Sequence, residues 1–275
     1  MTGTPAGPPP LTACIQGIGL VGPGLADWES GARVLAGEAT YTPCPTAVPA
    51  PAGLPAAERR RTGATVKLAL SAAQQAVAVA GVDPEGLSAV FSSSGGDGLI
   101  CHEICETLAS AERQVSPTRF HNSVHNAAAG YWSLATGATA ASTALCAYDG
   151  SFAAGLLEAL AMVAVDRVPV LLCAYETNYP EPLRAKRPLP EPFAVALVLA
   201  PVPTPATRAR LTARACSSTT AADRFPEPRL EALRAAMPAA RSLPLLRLLA
   251  RREPGEAVLD YIDDQRLVVE VGECR

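Results

Sequence analysis

The chain has 275 residues, 49% of them apolar, and a net charge of −3; at this length roughly three quarters of the unfolded surface can be buried, so a core forms without disulfides or a structural metal. No basic run exceeds Arg59-Arg60-Arg61, which argues against a nucleic-acid partner, whose surface needs lysine and arginine crowded on one face. Every apolar stretch reads as too short or too broken for the about 20 residues that cross a bilayer, so no membrane partner is expected either.

Leu11–Leu20 reads as a first strand, punctuated by Gly17, Gly19 and Gly22, and Ala26–Leu35 as a short helix. Residues 43–57 are too rich in proline for helix or inner strand and form a surface loop. Glu58–Val79 combines strong helix formers with an apolar stripe through Val66, Leu68, Ala69, Ala73, Ala76 and Val77, and Gly81 with Pro84 ends it. That pattern predicts one buried helix of about five turns.

Leu87–Ser92 is a short buried strand, and SSSGGDG after it opens a helix over Leu99–Ala111. The loop lacks the GxGxxG and GxxxxGK spacings, and Asp97 would repel a phosphate, so it reads as a tight turn rather than a phosphate cradle. Segment 115–126 begins with Ser116-Pro117 and leads into a small-residue helix, Ala127–Ala135. Thr139–Tyr148 as strand, Ser151–Val165 as helix and Val168–Ala174 as strand form a right-handed parallel unit with both sheet faces covered. Residues 180–192 are a second proline-rich excursion, Phe193–Ala200 is a strand, and Arg208–Ala215 is predicted as an edge strand. Glu227–Arg252 is a leucine-rich helical segment broken at Pro238 and Pro244. Its arginines 247, 251 and 252 are read as cover for the helix C-terminal dipole, with docking of an acidic carrier protein as the alternative. Ala257–Val271 closes as a hairpin turning at Asp263-Asp264.

Of the eight cysteines (14, 44, 101, 105, 146, 173, 216 and 274), most sit in apolar runs and are predicted to pack as small hydrophobes. MTGTPAGPPP has neither the charged nor the apolar region of a secretion signal, so a reducing cytoplasm and free thiols are expected. Cys101, Cys105, His121 and His125 have a Cys-x3-Cys-x15-His-x3-His spacing, close to that of a zinc finger. The cysteines lie in a predicted helix rather than a knuckle, so packed cysteines and hydrogen-bonded histidines are preferred, and no metal or other cofactor is expected.

Chemistry is sought at the corner Ala147-Tyr148-Asp149-Gly150-Ser151, between a strand and an apolar helix. Ser151 lacks the GxSxG setting of an esterase nucleophile. Cys146 with His125 is a conceivable nucleophile pair, but a cysteine pointing into a strand layer is desolvated and inert.

Gly17-Ile18-Gly19, Pro23-Gly24, Trp28, Gly37, SSSGG at 92–96, Ser116-Pro117, Asn126, Gly130, Gly137, the corner, Ala174–Glu176 and FAVALVLA at 193–200 together resemble the N-terminal half of a β-ketoacyl synthase of the thiolase superfamily. The likeness runs over about residues 11–215. The most specific block, SPTRFHNSVHNAAAG at 116–130, resembles the ketosynthase-like partners of full synthases in aryl polyene pigment pathways, often called chain-length-factor-type proteins. The resemblance implies an α/β fold: an incomplete thiolase-like fold over 1–205, a layered mixed sheet covered by helices. Residues 206–275 would supply an edge strand, a short helical segment and a hairpin in place of the C-terminal half.

In condensing enzymes a cysteine ends the strand and starts the buried helix, whose N-terminus lowers the thiol pKa while backbone amides hold the oxyanion. By resemblance that cysteine stands nineteen residues after a glycine of the preceding helix, and nineteen residues after Gly130 stands Asp149. Counting back from Val170–Ala174 gives the same place, and Cys146 falls three residues early. A carboxylate is a poor substitute for a thiolate in acyl transfer, so Asp149 is predicted as a helix N-cap or polar pocket residue, with assistance to decarboxylation as the alternative. The two catalytic histidines of the family's C-terminal half have no counterpart, since no histidine follows His125.

The resemblance therefore implies a non-catalytic subunit that forms a heterodimer with a full-length β-ketoacyl-ACP synthase, meets acyl carrier protein only indirectly, and shapes the acyl pocket. Its two-fold would use the strand bearing Ala140, Ser142, Ala144 and Cys146, while Arg119, Phe120 and Val124 would reach the partner's acyl tunnel. The rival readings are a stand-alone acyltransferase or malonyl decarboxylase using Asp149 or Cys146, and a homodimeric scaffold.

Overall fold

The computed structural model describes residues 10–217 and 220–273. Strand β1 (Leu11–Val21) leads to helix α1 (Trp28–Ala36), capped by the Asp27 carboxylate on the Ser30 amide. After the proline-rich loop come α2 (Ala56–Arg61) and α3 (Ala64–Ala80). The single helix predicted from Glu58 is thus interrupted at Thr62-Gly63. The carbonyls that end α2 are taken there by side chains, Arg59 O by the Thr62 hydroxyl and Arg61 O by Asn122 Nδ2.

Next follow β2 (Ser88–Ser92), α4 (Gly98–Ala109), α5 (Pro117–Asn122) and α6 (Ala127–Thr136). Then come β3 (Ser142–Leu145), a 3-10 turn at Tyr148–Gly150, α7 (Ser151–Asp166) and β4 (Val170–Glu176). The second proline-rich excursion contains one helical turn, α8 (Leu183–Lys186), before β5 (Phe193–Ala200) and β6 (Ala209–Ser217). The remaining elements are α9 (Pro228–Ala236), a 3-10 turn at Ala239–Ser242, α10 (Leu243–Arg251) and a hairpin of β7 (Gly255–Asp260) and β8 (Gln265–Gly272).

All eight strands form one sheet in the order β3-β2-β4-β5-β1-β6-β8-β7. β3 and β4 both run parallel to β2, so α7 carries the chain across β2, and the other pairings are antiparallel. The predicted mixed sheet covered by helices is therefore present. Two boundaries differ from the sequence reading. β6 is interior rather than an edge, because the β7–β8 hairpin folds back alongside it. β3 is shorter than Thr139–Tyr148, since it matches only Ala89–Ser92 before the chain turns away.

The two faces of the sheet bury different side chains. In β5, Phe193, Val195, Leu197 and Leu199 face the layer of α1, α7, α9 and α10, while Ala194, Ala196 and Val198 face α3 and α6. A Cβ at Gly17 or Gly19 of β1 would strike the carbonyl oxygens of Ala76 and Ala72, so α3 lies directly on the strand backbone. The alanines of α3 thus serve close approach, whereas each large side chain on the opposite face contributes about 1.5–3 kcal/mol by burial.

Segment 148–166, the corner turn and α7, is long and apolar enough to cross a membrane, contrary to the sequence reading. Half of it is buried in the protein, with Phe152, Leu156, Leu160 and Val163 in the core, as a core helix is.

The two sheet edges also differ. On β7, Asp223 takes both outward groups of Val258, donating its amide to the carbonyl and accepting the Val258 amide on its carboxylate. On β3, the carbonyls of Ala141 and Leu145 bond the amides of Ala89 and Ser93. Alternate backbone groups therefore face outward, those of Ser142 and Ala144.

Candidate functional site

The parallel strands β2, β3 and β4 end side by side, and their C-terminal ends assemble a polar cluster. The small-residue turn after β2 wraps a carboxylate of the chain itself. Glu176, the last residue of β4, accepts from the Ser94 amide, from the Ser94 hydroxyl at 3.0 Å and from the Ser93 hydroxyl at 3.5 Å. Only 1% of Glu176 is exposed. Burial pushes its carboxyl up to about 7 despite these donors and the Arg187 charge, which oppose the shift. The turn is thus closed over its own acid, which removes the phosphate reading for a reason the glycine spacing did not show. His125 Nε2 lies 3.0 Å from the Ser93 carbonyl, and the Ser93 amide bonds Leu145 O. Segment 115–126 is thereby tied to the ends of β2 and β3.

At the corner the backbone strain falls on Tyr148, an aromatic residue at φ +49°. The Ser151 hydroxyl donates to Tyr148 O at 2.7 Å and accepts the Ala147 amide at 3.1 Å, so it holds the turn in place. Asp149 does not cap α7, one of the two roles the sequence suggested; the other was a polar pocket residue. Gly150 occupies the cap position with no side-chain bond, and the Asp149 carboxylate turns outward to two arginines. Oδ1 pairs with Arg187 at 2.8 Å and Oδ2 with Arg241 at 3.0 Å. Burial works against the Arg187 charge, but the Asp149 partnership more than offsets it and raises its pKa. The Arg187 guanidinium also lies 3.8 Å from the centre of the Tyr148 ring, a cation–π contact.

The network continues into the chain's last third. Arg241 meets Asp260 at 3.2 Å, Asp260 meets Arg234 at 3.1 Å, and Arg234 meets Glu231 at 2.7 Å. Backbone packs there too, since a Cβ on Gly150 would strike the Tyr261 carbonyl. Tyr179 closes the cluster from the other side, its hydroxyl within reach of Ser94 and Arg187. Chemically the corner is a clamp: each Asp149 oxygen faces a guanidinium, and the Glu176 carboxyl is sealed behind serines.

The other predicted residues lie around this cluster. Arg119 pairs with Glu103 at 2.9 Å, while Phe120 is 67% and Val124 49% exposed. Ser142 and Ala144 are on β3, and Ala140 and Cys146 flank it. Cys146 is exposed, not desolvated in the strand, because β3 ends one residue earlier. Cys101 and Cys105 lie in α4 as predicted but are exposed rather than packed, as is Cys44. Cys14 and Cys173 are the two buried ones, Cys216 is half-buried, and Cys274 falls outside the described residues. His121 meets the Tyr131 ring edge-on, and among the described residues no three His, Cys, Asp or Glu side chains converge on a metal position. On α10, Arg247 lies over the Phe225 ring and Arg251 pairs with Glu253, so both have specific partners.

Sequence reasoning gave Arg187 and Arg241 no part, and it placed Glu176 and Tyr148 among the residues carrying the resemblance without assigning either a role. An acid ending an otherwise apolar strand, VLLCAYE, was a legible signal. Arg241 carried none.

Residues 28–250 match the family of β-ketoacyl synthase N-terminal domains, and the chain belongs to that family. Among solved structures it is similar to a chain of the ketosynthase ApeO in complex with its chain length factor ApeC from Xenorhabdus doucetiae, with 24% identity and a TM-score of 0.71 over 94% of this chain and 99% of that one. It is also similar to the ishigamide ketosynthase/chain length factor, with 14% identity and a TM-score of 0.70 over 96% of this chain and 100% of that one. A third is the complex AntDE:AntF, a type II polyketide acyl carrier protein with its ketosynthase bound to a hexaketide, with 12% identity and a TM-score of 0.71 over 96% and 99%. These likenesses establish a shared thiolase-like fold. No curated protein matches the chain.

Proposed function

We propose that this protein is a chain-length-factor-type subunit that pairs with a full-length β-ketoacyl-ACP synthase and shapes its acyl pocket during carrier-bound chain elongation of the polyene, polyketide or fatty-acid type. The observation that carries the reading is the asymmetry of the sheet edges. Asp223 covers the middle of β7, while β3 leaves the backbone groups of Ser142 and Ala144 outward, a template for another strand. Near that edge Phe120 and Val124 are exposed apolar side chains on the segment tied to Ser93, which suits a surface covered by a partner. The occupied Asp149 clamp favours a supporting role over the stand-alone acyltransferase. In this reading Ala140, Ser142, Ala144 and Cys146 form the dimer edge, and Arg119, Phe120 and Val124 limit chain length. Residues 1–205 act as the ketosynthase-like half, and 206–275 buttress the corner. Solved relatives of this fold include a ketosynthase with its chain length factor and a carrier protein with its ketosynthase, which supports the same partners here.

The test is co-expression with a full-length synthase encoded nearby. Co-purification as a one-to-one pair is expected. A chain that purifies alone as a symmetric homodimer, or that acquires a stable acyl adduct from acyl carrier protein by intact mass, would overturn the proposal.

A further inference from the structure

Tyr148, the aromatic residue of the corner, combines a strained backbone with exposure: its φ is +49° and the residue is 64% exposed. A bulky residue in the left-handed region is strained, and such positions persist only where their surroundings over-determine them. Here the surroundings do so from three directions. Ser151 holds the Tyr148 carbonyl, Arg187 covers one face of the ring at 3.8 Å, and Asp149 with Arg241 fixes Arg187.

The ring lies at the sheet end where Phe120 and Val124 are carried. The Ser93 carbonyl meets His125, next to Val124, and its amide meets Leu145, three residues before Tyr148. One face of the ring is covered by the guanidinium, and the side chain remains mostly exposed, an apolar surface set at a defined angle. Hydrocarbon is the ligand chemistry that such a surface suits, since the Arg187 and Arg241 guanidiniums at the corner are both paired with Asp149 and offer little to an anion.

We infer that Tyr148 is a further chain-length determinant, an aromatic wall against the growing acyl chain in the pocket proposed above, and that Arg187 is the positioning residue that sets its ring. This rests on the proposed pairing with a synthase. Bulk at position 148 then sets where elongation stops, and the hydroxyl is dispensable.

The experiment uses the co-purified pair supplied with carrier protein and malonyl units, with product lengths read by mass spectrometry. Tyr148→Ala is expected to shift the most abundant product longer by one extension cycle or more, Tyr148→Trp to shift it shorter, and Tyr148→Phe to leave it in place. Arg187→Lys, which keeps the charge opposite Asp149 but loses the flat stacking surface, should broaden the distribution without moving the thermal midpoint of the pair. Unchanged lengths in both Tyr148→Ala and Tyr148→Trp pairs would overturn the inference while leaving the pairing intact. Loss of co-purification on Tyr148→Ala with the isolated chain still folded would also overturn it, because Tyr148 would then be a docking residue. If the unsubstituted chain fails to co-purify, the pairing falls first and this inference with it.

Discussion

Asp149 and Arg241 stand 92 residues apart in sequence, and their side chains meet at 3.0 Å. The contact fastens the corner after β3 to the 3-10 turn that precedes α10. Removing the arginine strands part of a half-buried carboxylate. Arg241→Ala should therefore cost about 1–2 kcal/mol, between the values for exposed and buried ion pairs. The readout is a lower urea midpoint with an unchanged slope. A double substitution with Asp149→Ala should cost clearly less than the two single losses together, and strict additivity would show that the pair is uncoupled.

Glu176 makes stability depend on pH. Burial raises its carboxyl from 4.5 to about 7 in the folded chain, so between these values the folded state holds a proton that the unfolded state releases. Stability falls as pH rises through that window and levels off above about 7. By the conversion of 1.36 kcal/mol per pKa unit the whole effect is on the order of 3 kcal/mol. Urea titrations from pH 4.5 to 8 should show this decline in the natural chain. Glu176→Gln, which can still accept the Ser94 amide, should flatten it, and an equal decline in both proteins would assign the slope to other groups.

Ala144 directs its backbone N–H to the open side of β3. Ala144→Pro removes that donor without touching the ladder to β2. Co-purification with the synthase should be lost while the isolated chain keeps its circular dichroism spectrum and thermal midpoint. Retained co-purification would move the interface away from this edge.

Phe120 is one of the most exposed large apolar side chains described, on a short helix pinned through its neighbours. Phe120→Ala should lengthen or blur the products of the co-purified pair, with little change in the isolated chain's stability, as surface substitutions usually behave. Products of unaltered length would remove Phe120 from the pocket wall.

Much of the fold was legible in the residues. The uninterrupted apolar runs of β4 and β5 announced strands buried on both faces, and the change of pattern at Ala147–Ser151 marked the turn into α7. What escaped was decided over long sequence distances. Cys146 looked buried because the ten residues Thr139–Tyr148, small, apolar and β-branched without a charge, read as one strand, yet only Ser142–Leu145 finds partners on β2. Arg208–Ala215 looked like an edge because nothing in it tells that a hairpin some 45 residues later will pair beside it. Asp149 looked like a cap because a carboxylate before a helix usually is one, and neither Arg187 nor Arg241 carries a local mark of where it will point. The Glu176 cradle hid for the same reason: SSSGG reads as a turn, and its occupant comes from another strand.

Asp223 has one more implication. An interior ribbon of a fibre must offer hydrogen bonds on both flanks, and this chain has spent the middle of one flank on itself. Recruitment at β3 would therefore use up this chain's one open flank, leaving the Asp223 side turned to water with no purchase for a further strand. Replacing Asp223 would then bear on whether assembly stays finite, a matter of stoichiometry that neither the corner nor the acyl pocket controls.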